Sequence, residues 1–230
     1  MALTMKALDL YYRTAYRRAG DESVIDWHRE ESPALLRTAV ESLHGPARAL
    51  DLGCGTGVNA VFMARHGLQV TALDYVPEAL SFAAARAERS GVKIEFVCAD
   101  VTKFETSDKF NLILDSGCFH GFDEKLRLKY RAKLMEWLQV GAQYVLIHSG
   151  KRHAFDLSII GTRARRKEDI ERYFAPDLAL EDFLPDTSGK PLFQYGFRMV
   201  GNSGIPDDKE ARNEKQGIRN KGQEAVDHGM

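Results

Sequence analysis

Four residues within a seven-residue stretch can do chemistry together: Asp51, Gly53, Gly55 and Gly57, in the run Ala49-Leu50-Asp51-Leu52-Gly53-Cys54-Gly55-Thr56-Gly57. Glycine has no Cβ and tolerates positive φ, so such a loop lets a ligand lie against the backbone. The carboxylate of Asp51 then decides which ligand. Beside a pyrophosphate it repels; beside a sulfonium or ammonium it attracts. A dinucleotide loop also needs Gly-x-Gly-x-x-Gly. Here the third glycine comes one place early, and Val58 fills its slot. Three further acids follow in order. Asp74 lies about twenty residues beyond Gly53, the distance to a carboxylate that holds a ribose hydroxyl pair. Asp100, with Val101 beside it, suits an exocyclic adenine amine and the face of its ring. Asp115 precedes Ser116-Gly117-Cys118-Phe119-His120.

Each acid must be positioned by an element. Apolar runs predict strands at 47–52, 69–74, 93–98, 110–115, 143–149, 178–183 and 192–199. Helices are expected at 57–66, closed by Gly67; from Pro77 to about Arg89, stopped by Gly91; over 124–140, ending at Gly141; and near 167–174. Residues 1–45 read as helical, with Pro33 opening a second helix through Leu43. Alternation of strand and helix implies an α/β fold, a doubly wound and mainly parallel sheet. The last two strands have no helix between them, so an antiparallel hairpin is expected at one edge. In such sheets ligands bind beyond the carboxyl ends of the strands, which is where all four acids fall.

Composition narrows the class. The chain has 230 residues, a formal net charge of −1 and 44% hydrophobic residues, enough for one sizeable core. Near-neutral charge argues against a general nucleic-acid binder. Cys54, Cys98 and Cys118 stand singly, without metal-ligand spacing, so a reduced cytoplasmic protein with no metal site is expected. No apolar run approaches membrane-spanning length. Residues 201–230 are polar and read as a disordered tail, leaving a helical lid over 1–45 and a ligand-binding domain over 46–200.

The segment 47–115 resembles the cofactor half of a class I S-adenosylmethionine-dependent methyltransferase. "LDLGCGTG" is similar to that family's first motif, "VTALDY" to its second-strand acid, "VCADV" to its adenine motif and "FNLILD" to its fourth strand. The likeness extends more weakly through "QYVLIHS" and "LFQYGFRM". "GTGVNAVFMARHG" and "DSGCFHGF" look most like small-molecule enzymes of the thiopurine and tellurite-resistance type. The resemblance implies a Rossmann-like seven-stranded sheet and S-adenosyl-L-methionine as cofactor. It implies that Asp51, Gly53, Gly55 and Gly57 hold the methionine part. Asp74 would hold the ribose, Tyr75 would pack beside the adenine, Asp100 and Val101 would hold the adenine, and Asp115 would sit by the methyl group.

For the acceptor, His120 is the candidate general base, with a pocket-lining role as the alternative. Phe119 and Phe122 are candidate walls, and Cys118 is assigned to packing. From the N-terminal lid, Tyr16 and Trp27 are the candidate contacts. The cluster Lys151, Arg152, His153, Arg163, Arg165, Arg166 and Lys167 is read as a solvated basic surface, an anionic-acceptor site or an RNA contact. The expected acceptor is a small, partly apolar molecule methylated on O, N or S, and the expected state is monomer or homodimer. RNA or protein methylation is the rival, although Asp115-Ser116-Gly117-Cys118 lacks the Pro-Pro motif common in enzymes acting on base amino groups. A silent cofactor-binding scaffold is a third reading.

Overall fold

A computed structural model describes residues 5–149, 165–185 and 192–200. Seven strands, β1 (Arg48–Leu52), β2 (Gln69–Asp74), β3 (Glu95–Cys98), β4 (Phe110–Ser116), β5 (Leu138–Ser149), β6 (Leu178–Pro185) and β7 (Leu192–Met199), form one sheet in the order β3-β2-β1-β4-β5-β7-β6. The first five pair in parallel. β7 runs antiparallel between β5 and β6. The mainly parallel sheet with an antiparallel hairpin at its C-terminal edge is the architecture the sequence predicts.

Strand alternation divides the core into two faces. Leu50, Leu52, Ile113, Tyr144 and Leu146 point to one side, where they meet Tyr130, Leu134 and Trp137 of α5 (Glu124–Trp137) and Ile170 and Phe174 of α6 (Lys167–Phe174). Ala49, Val70, Ala72, Leu112, Leu114 and Val145 point to the other, under α2 (Ala34–Glu41), α3 (Val58–Arg65) and α4 (Pro77–Arg89). Central strands buried on both faces read as near-continuous apolar runs, which is why the sequence exposes them so clearly.

Two expectations change. The helix expected over 124–140 stops at Trp137, and β5 begins at Leu138. Trp137 and Leu138 are held in the core near Phe110, while the chain from 139 to 141 bulges outward and turns through Gly141 at φ +80°. Residues 99–109 connect β3 to β4 with turns and no helix. Second, the N-terminal 45 residues do not act as one unit. α2 is a sheet-covering helix: Leu35, Leu36, Ala39 and Val40 are buried in the second face, and the Leu35 N–H donates to Gln194 Oε1 at 2.9 Å. Only α1 (Met5–Arg18) and the turn after it stand over the strand ends, packing on α4 through Tyr16, Ile25, Val76 and Ala79. The expected tail at 201–230 and most of the basic loop, including Lys151, Arg152, His153 and Arg163, lie outside the described residues.

Candidate active site

The strand order reverses between β1 and β4, and there the glycine loop meets the turn after β4. Such a switch point is where an open α/β sheet offers a crevice. Gly53, Gly55 and Gly57 all adopt positive φ, +68°, +54° and +78°. Their lack of side chains also matters in space. A Cβ on Gly53 would stand 2.5 Å from Cys118 Sγ, and one on Gly57 would stand 2.9 Å from the Ala83 Cα of α4. The loop is braced by its neighbours: Cys54 N–H donates to Leu73 O at 2.9 Å, and Gly55 N–H donates to Asp74 Oδ2 at 2.9 Å.

The acids behave differently from one another. Asp51 is 1% exposed, and neither carboxylate oxygen has a hydrogen-bond partner of normal geometry. Burial, reinforced by the nearby Asp74 and Asp115, pushes its pKa up to about 8. A carboxyl in this state lacks a counter-charge, so a cationic group is the ligand that fits it. Asp74 is buried too, but Oδ1 accepts from Val76 N and Oδ2 from Gly55 N, both at 2.9 Å. It ties β2 to the glycine loop while burial raises its pKa. Asp100 is exposed, and its Oδ1 accepts from Thr102 N–H and hydroxyl. Val101 beside it is buried in the first core face. Tyr75 is half-exposed at the end of β2, with the Arg13 guanidinium 5.6 Å from its ring centre.

The resemblance puts the Asp115 carboxylate beside the reacting methyl group. It is fully buried, and its oxygens are already taken: Oδ1 accepts from Gly117 and Cys118 N–H at 3.1 and 2.8 Å, and Oδ2 accepts from Phe119 N–H at 3.1 Å and Tyr130 Oη–H at 2.7 Å. Burial raises its pKa to about 6 despite these donors. Asp115 therefore shapes the turn that carries Cys118, Phe119 and His120. Phe119 is also more interior than an acceptor wall would be. It has no exposed surface and packs against Tyr130, Tyr173, Phe174 and His148. Phe122 is half-buried against Tyr130. Burial and the neighbouring carboxylates push the Cys54 and Cys118 thiols well up, which leaves both without thiolate character.

Over the loop, Tyr16 places its hydroxyl oxygen 3.0 Å from where a Cβ of Gly55 would stand. Trp27 Nε1–H donates to that hydroxyl at 3.0 Å, and the Trp27 ring meets those of Tyr11, Tyr12 and Tyr16. His28 Nδ1 lies 3.1 Å from Thr56 Oγ1. Ion pairs tie the same segment to α4: Arg17 to Glu78 at 2.7 Å and Glu22 to Arg86 at 2.6 Å.

With this geometry in place, comparison with known proteins shows what the domain resembles. Residues 49–141 match a family model described as a methyltransferase domain. Residues 49–141 therefore form a methyltransferase domain, within a chain that is similar to S-adenosyl-L-methionine-dependent methyltransferases. A methyltransferase of Mycobacteroides abscessus named for 2-heptyl-1-hydroxyquinolin-4(1H)-one is 28% identical over 159 residues, 68% of this chain and 69% of that one. The chain spans less than half the length of several other curated methyltransferases it matches. Two solved structures share the fold. The Burkholderia thailandensis 1,6-didemethyltoxoflavin-N1-methyltransferase has TM-score 0.65 at 21% identity, covering 87% of this chain and 92% of that one. The N-methyltransferase NodS of Bradyrhizobium japonicum has TM-score 0.66 at 19% identity, covering 82% and 98%.

In this methyltransferase the structure brings together Asp51, the glycines, Asp74 and Tyr16, all named by the sequence. It also adds residues the sequence did not single out. Tyr130 of α5 holds Asp115, and its hydroxyl is 3.1 Å from that of Tyr144. Arg127 of α5 is buried, with its guanidinium 4.5 Å from the Phe119 ring centre. His148, the last residue but one of β5, has no exposed surface and lies 6.0 Å ring to ring from His120. A buried histidine one residue from a strand end carries the same signal as a core residue, so only the fold reveals its neighbours. No group of acids, histidines and cysteines arranged to bind a metal occurs among the described residues, and no described helix is long and apolar enough to cross a membrane.

Proposed function

We propose that the protein transfers the methyl group of S-adenosyl-L-methionine to an O, N or S atom of a small, partly apolar molecule. The observation that carries this reading is Asp51, a buried carboxyl with no partner at the mouth of a three-glycine loop. It fits the ammonium of the methionine part, with Gly53, Gly55 and Gly57 giving the close backbone approach. In this reading Asp74 holds the ribose, Tyr75 lies beside the adenine, and Asp100 and Val101 hold its edge and face. When bound, the sulfonium supplies an electrophilic methyl group that is transferred by in-line displacement. The chain's part is to orient the acceptor along that line, exclude water and receive the acceptor's proton. α1 and the turn through Trp27 serve as the lid, with Tyr16 over the loop. A small acceptor is supported by the name of the Mycobacteroides relative, whose acceptor joins a ring to an alkyl chain.

Thermal stabilisation tests the cofactor half of this reading. S-adenosyl-L-methionine and S-adenosyl-L-homocysteine should each raise the midpoint, and NAD should not. A labelled-methyl assay over thiols, phenols, carboxylates, amines and transfer RNA tests the acceptor half. Label appearing in the RNA alone would overturn the small-molecule reading.

A further inference from the structure

Resting on the methyltransferase reading above, we infer that His148, with His120 beside it, is the proton-accepting site for the acceptor, and that the methylated atom is the oxygen of an acidic hydroxyl. Four buried side-chain atoms in one region have no hydrogen-bond partner: His148 Nε2, His120 Nδ1, Tyr173 Oη and Arg165 Nε. They come from the end of β5, the turn after β4, α6 and the residue two before it. Ring contacts connect them. His148 lies 6.0 Å from His120 and 5.6 Å from Phe119, and Phe119 lies 5.4 Å from Tyr173. Buried polar atoms are nearly always paired, so such a cluster marks where a polar ligand completes the pairing.

The tautomer of His148 follows from its other nitrogen. Nδ1 lies 2.5 Å from the Ser149 carbonyl oxygen. A carbonyl can only accept, so Nδ1 carries the hydrogen, and in the neutral ring Nε2 is a bare lone pair. His148 thus has the form of a general base held by an orienting acceptor. Burial and the charge of Arg127 hold both imidazoles neutral, His120 at about 4 and His148 well below its usual value.

The surroundings select the acceptor. The charges of Arg127 and Arg165 both reach His148. They stabilise an acceptor that can shed its proton toward an anion, which a hydroxyl does and an amine does not, and they keep the imidazolium short-lived so that its proton goes on to water. Weak bases of this kind are matched to an acidic proton rather than to that of an aliphatic alcohol. In the step, the oxygen–methyl bond forms and the methyl–sulfur electron pair stays on sulfur. The hydroxyl proton passes to His148 Nε2 and then to water. One positive charge is lost at sulfur and one gained at the imidazole, so the site's net charge is unchanged.

The test uses the full chain, with 4-nitrophenol and less acidic phenols against benzylamine as acceptors. Phenols should be methylated and benzylamine should not. His148→Gln should lower kcat by about 100-fold, the usual contribution of a positioned base, with affinity for S-adenosyl-L-homocysteine within twofold of wild type. A kcat within twofold of wild type, transfer to benzylamine, or no transfer to any phenol would overturn the inference. Should His148→Gln not fold, the absorbance of 4-nitrophenol in the complex with S-adenosyl-L-homocysteine decides instead. It should ionise at lower pH than in free solution, and Arg165→Gln should reverse much of that shift; no shift in wild type overturns the inference. Failure of wild type to bind S-adenosyl-L-homocysteine at all would count against the methyltransferase reading instead.

Discussion

Asp51→Asn should make the empty protein more stable at neutral pH and at the same time abolish its affinity for S-adenosyl-L-methionine. The stability half follows from proton linkage. In the unfolded chain an aspartate ionises near its usual value of about 4, whereas in the fold Asp51 titrates at about 8. Between those values the folded protein holds a proton that the unfolded chain has released. Stability contributed by the protonated group is therefore complete below about pH 4 and is lost as pH rises toward 8, at up to about 1.4 kcal/mol per pH unit. Asparagine has no such proton. Urea unfolding of wild type and variant should diverge as pH is raised from 5 to 8, with the variant gaining on wild type throughout. Curves that stay parallel across that range would show that Asp51 ionises normally. The binding half follows from the same burial, because an amide there removes the carboxyl whose oxygens have no hydrogen-bond partner and are left for a cation. Calorimetry should register at least a 100-fold loss of affinity, about 2.7 kcal/mol, within the range for leaving a buried charge without its partner.

Gly57→Ala should be the most destabilising single methyl in the glycine loop. The backbone there has φ +78°, which costs an L-residue about 1–2 kcal/mol. The added carbon would also stand 2.8 and 2.9 Å from Cβ and Cα of Ala83, so α3 and α4 must separate. Overpacking of this kind adds about 1–3 kcal/mol. Denaturation should show a loss of about 2–5 kcal/mol, and the double variant with Ala83→Gly should recover only the part due to the side-chain contact, since the backbone strain and the Cα approach remain. A loss below about 1 kcal/mol would mean the two helices are not in fixed contact.

Much of this arrangement is legible in the sequence because it is local. The glycine loop, the acid before it and the acid ending β2 are set by runs of a few residues, and central strands announce themselves as apolar runs. What stays hidden depends on residues far apart in the chain. Nothing near Asp115 says that Tyr130, fifteen residues on, takes one of its oxygens. The apolar stripe of α2 says that it packs, not that it packs on β5 and β7 rather than over the ligand. His148 reads as strand, and its partnership with His120, Arg127 and Tyr173 exists only once β4, β5, α5 and α6 are assembled. The helix stop at Trp137 is hidden for the same reason. The polar surface of α5 continues past it, and the core's hold on Trp137 and Leu138 ends the helix.

One titration tests the central claim, that Asp51 receives a cationic cofactor, most directly. S-adenosyl-L-methionine is titrated into the full chain at pH 7 in two buffers with different heats of ionisation. Because Asp51 is protonated in the empty site at that pH and must ionise to pair with the ammonium, binding should release close to one proton per chain. Asp51→Asn should release none. Tight binding by wild type with no proton released, or binding unchanged in the variant, would contradict the account.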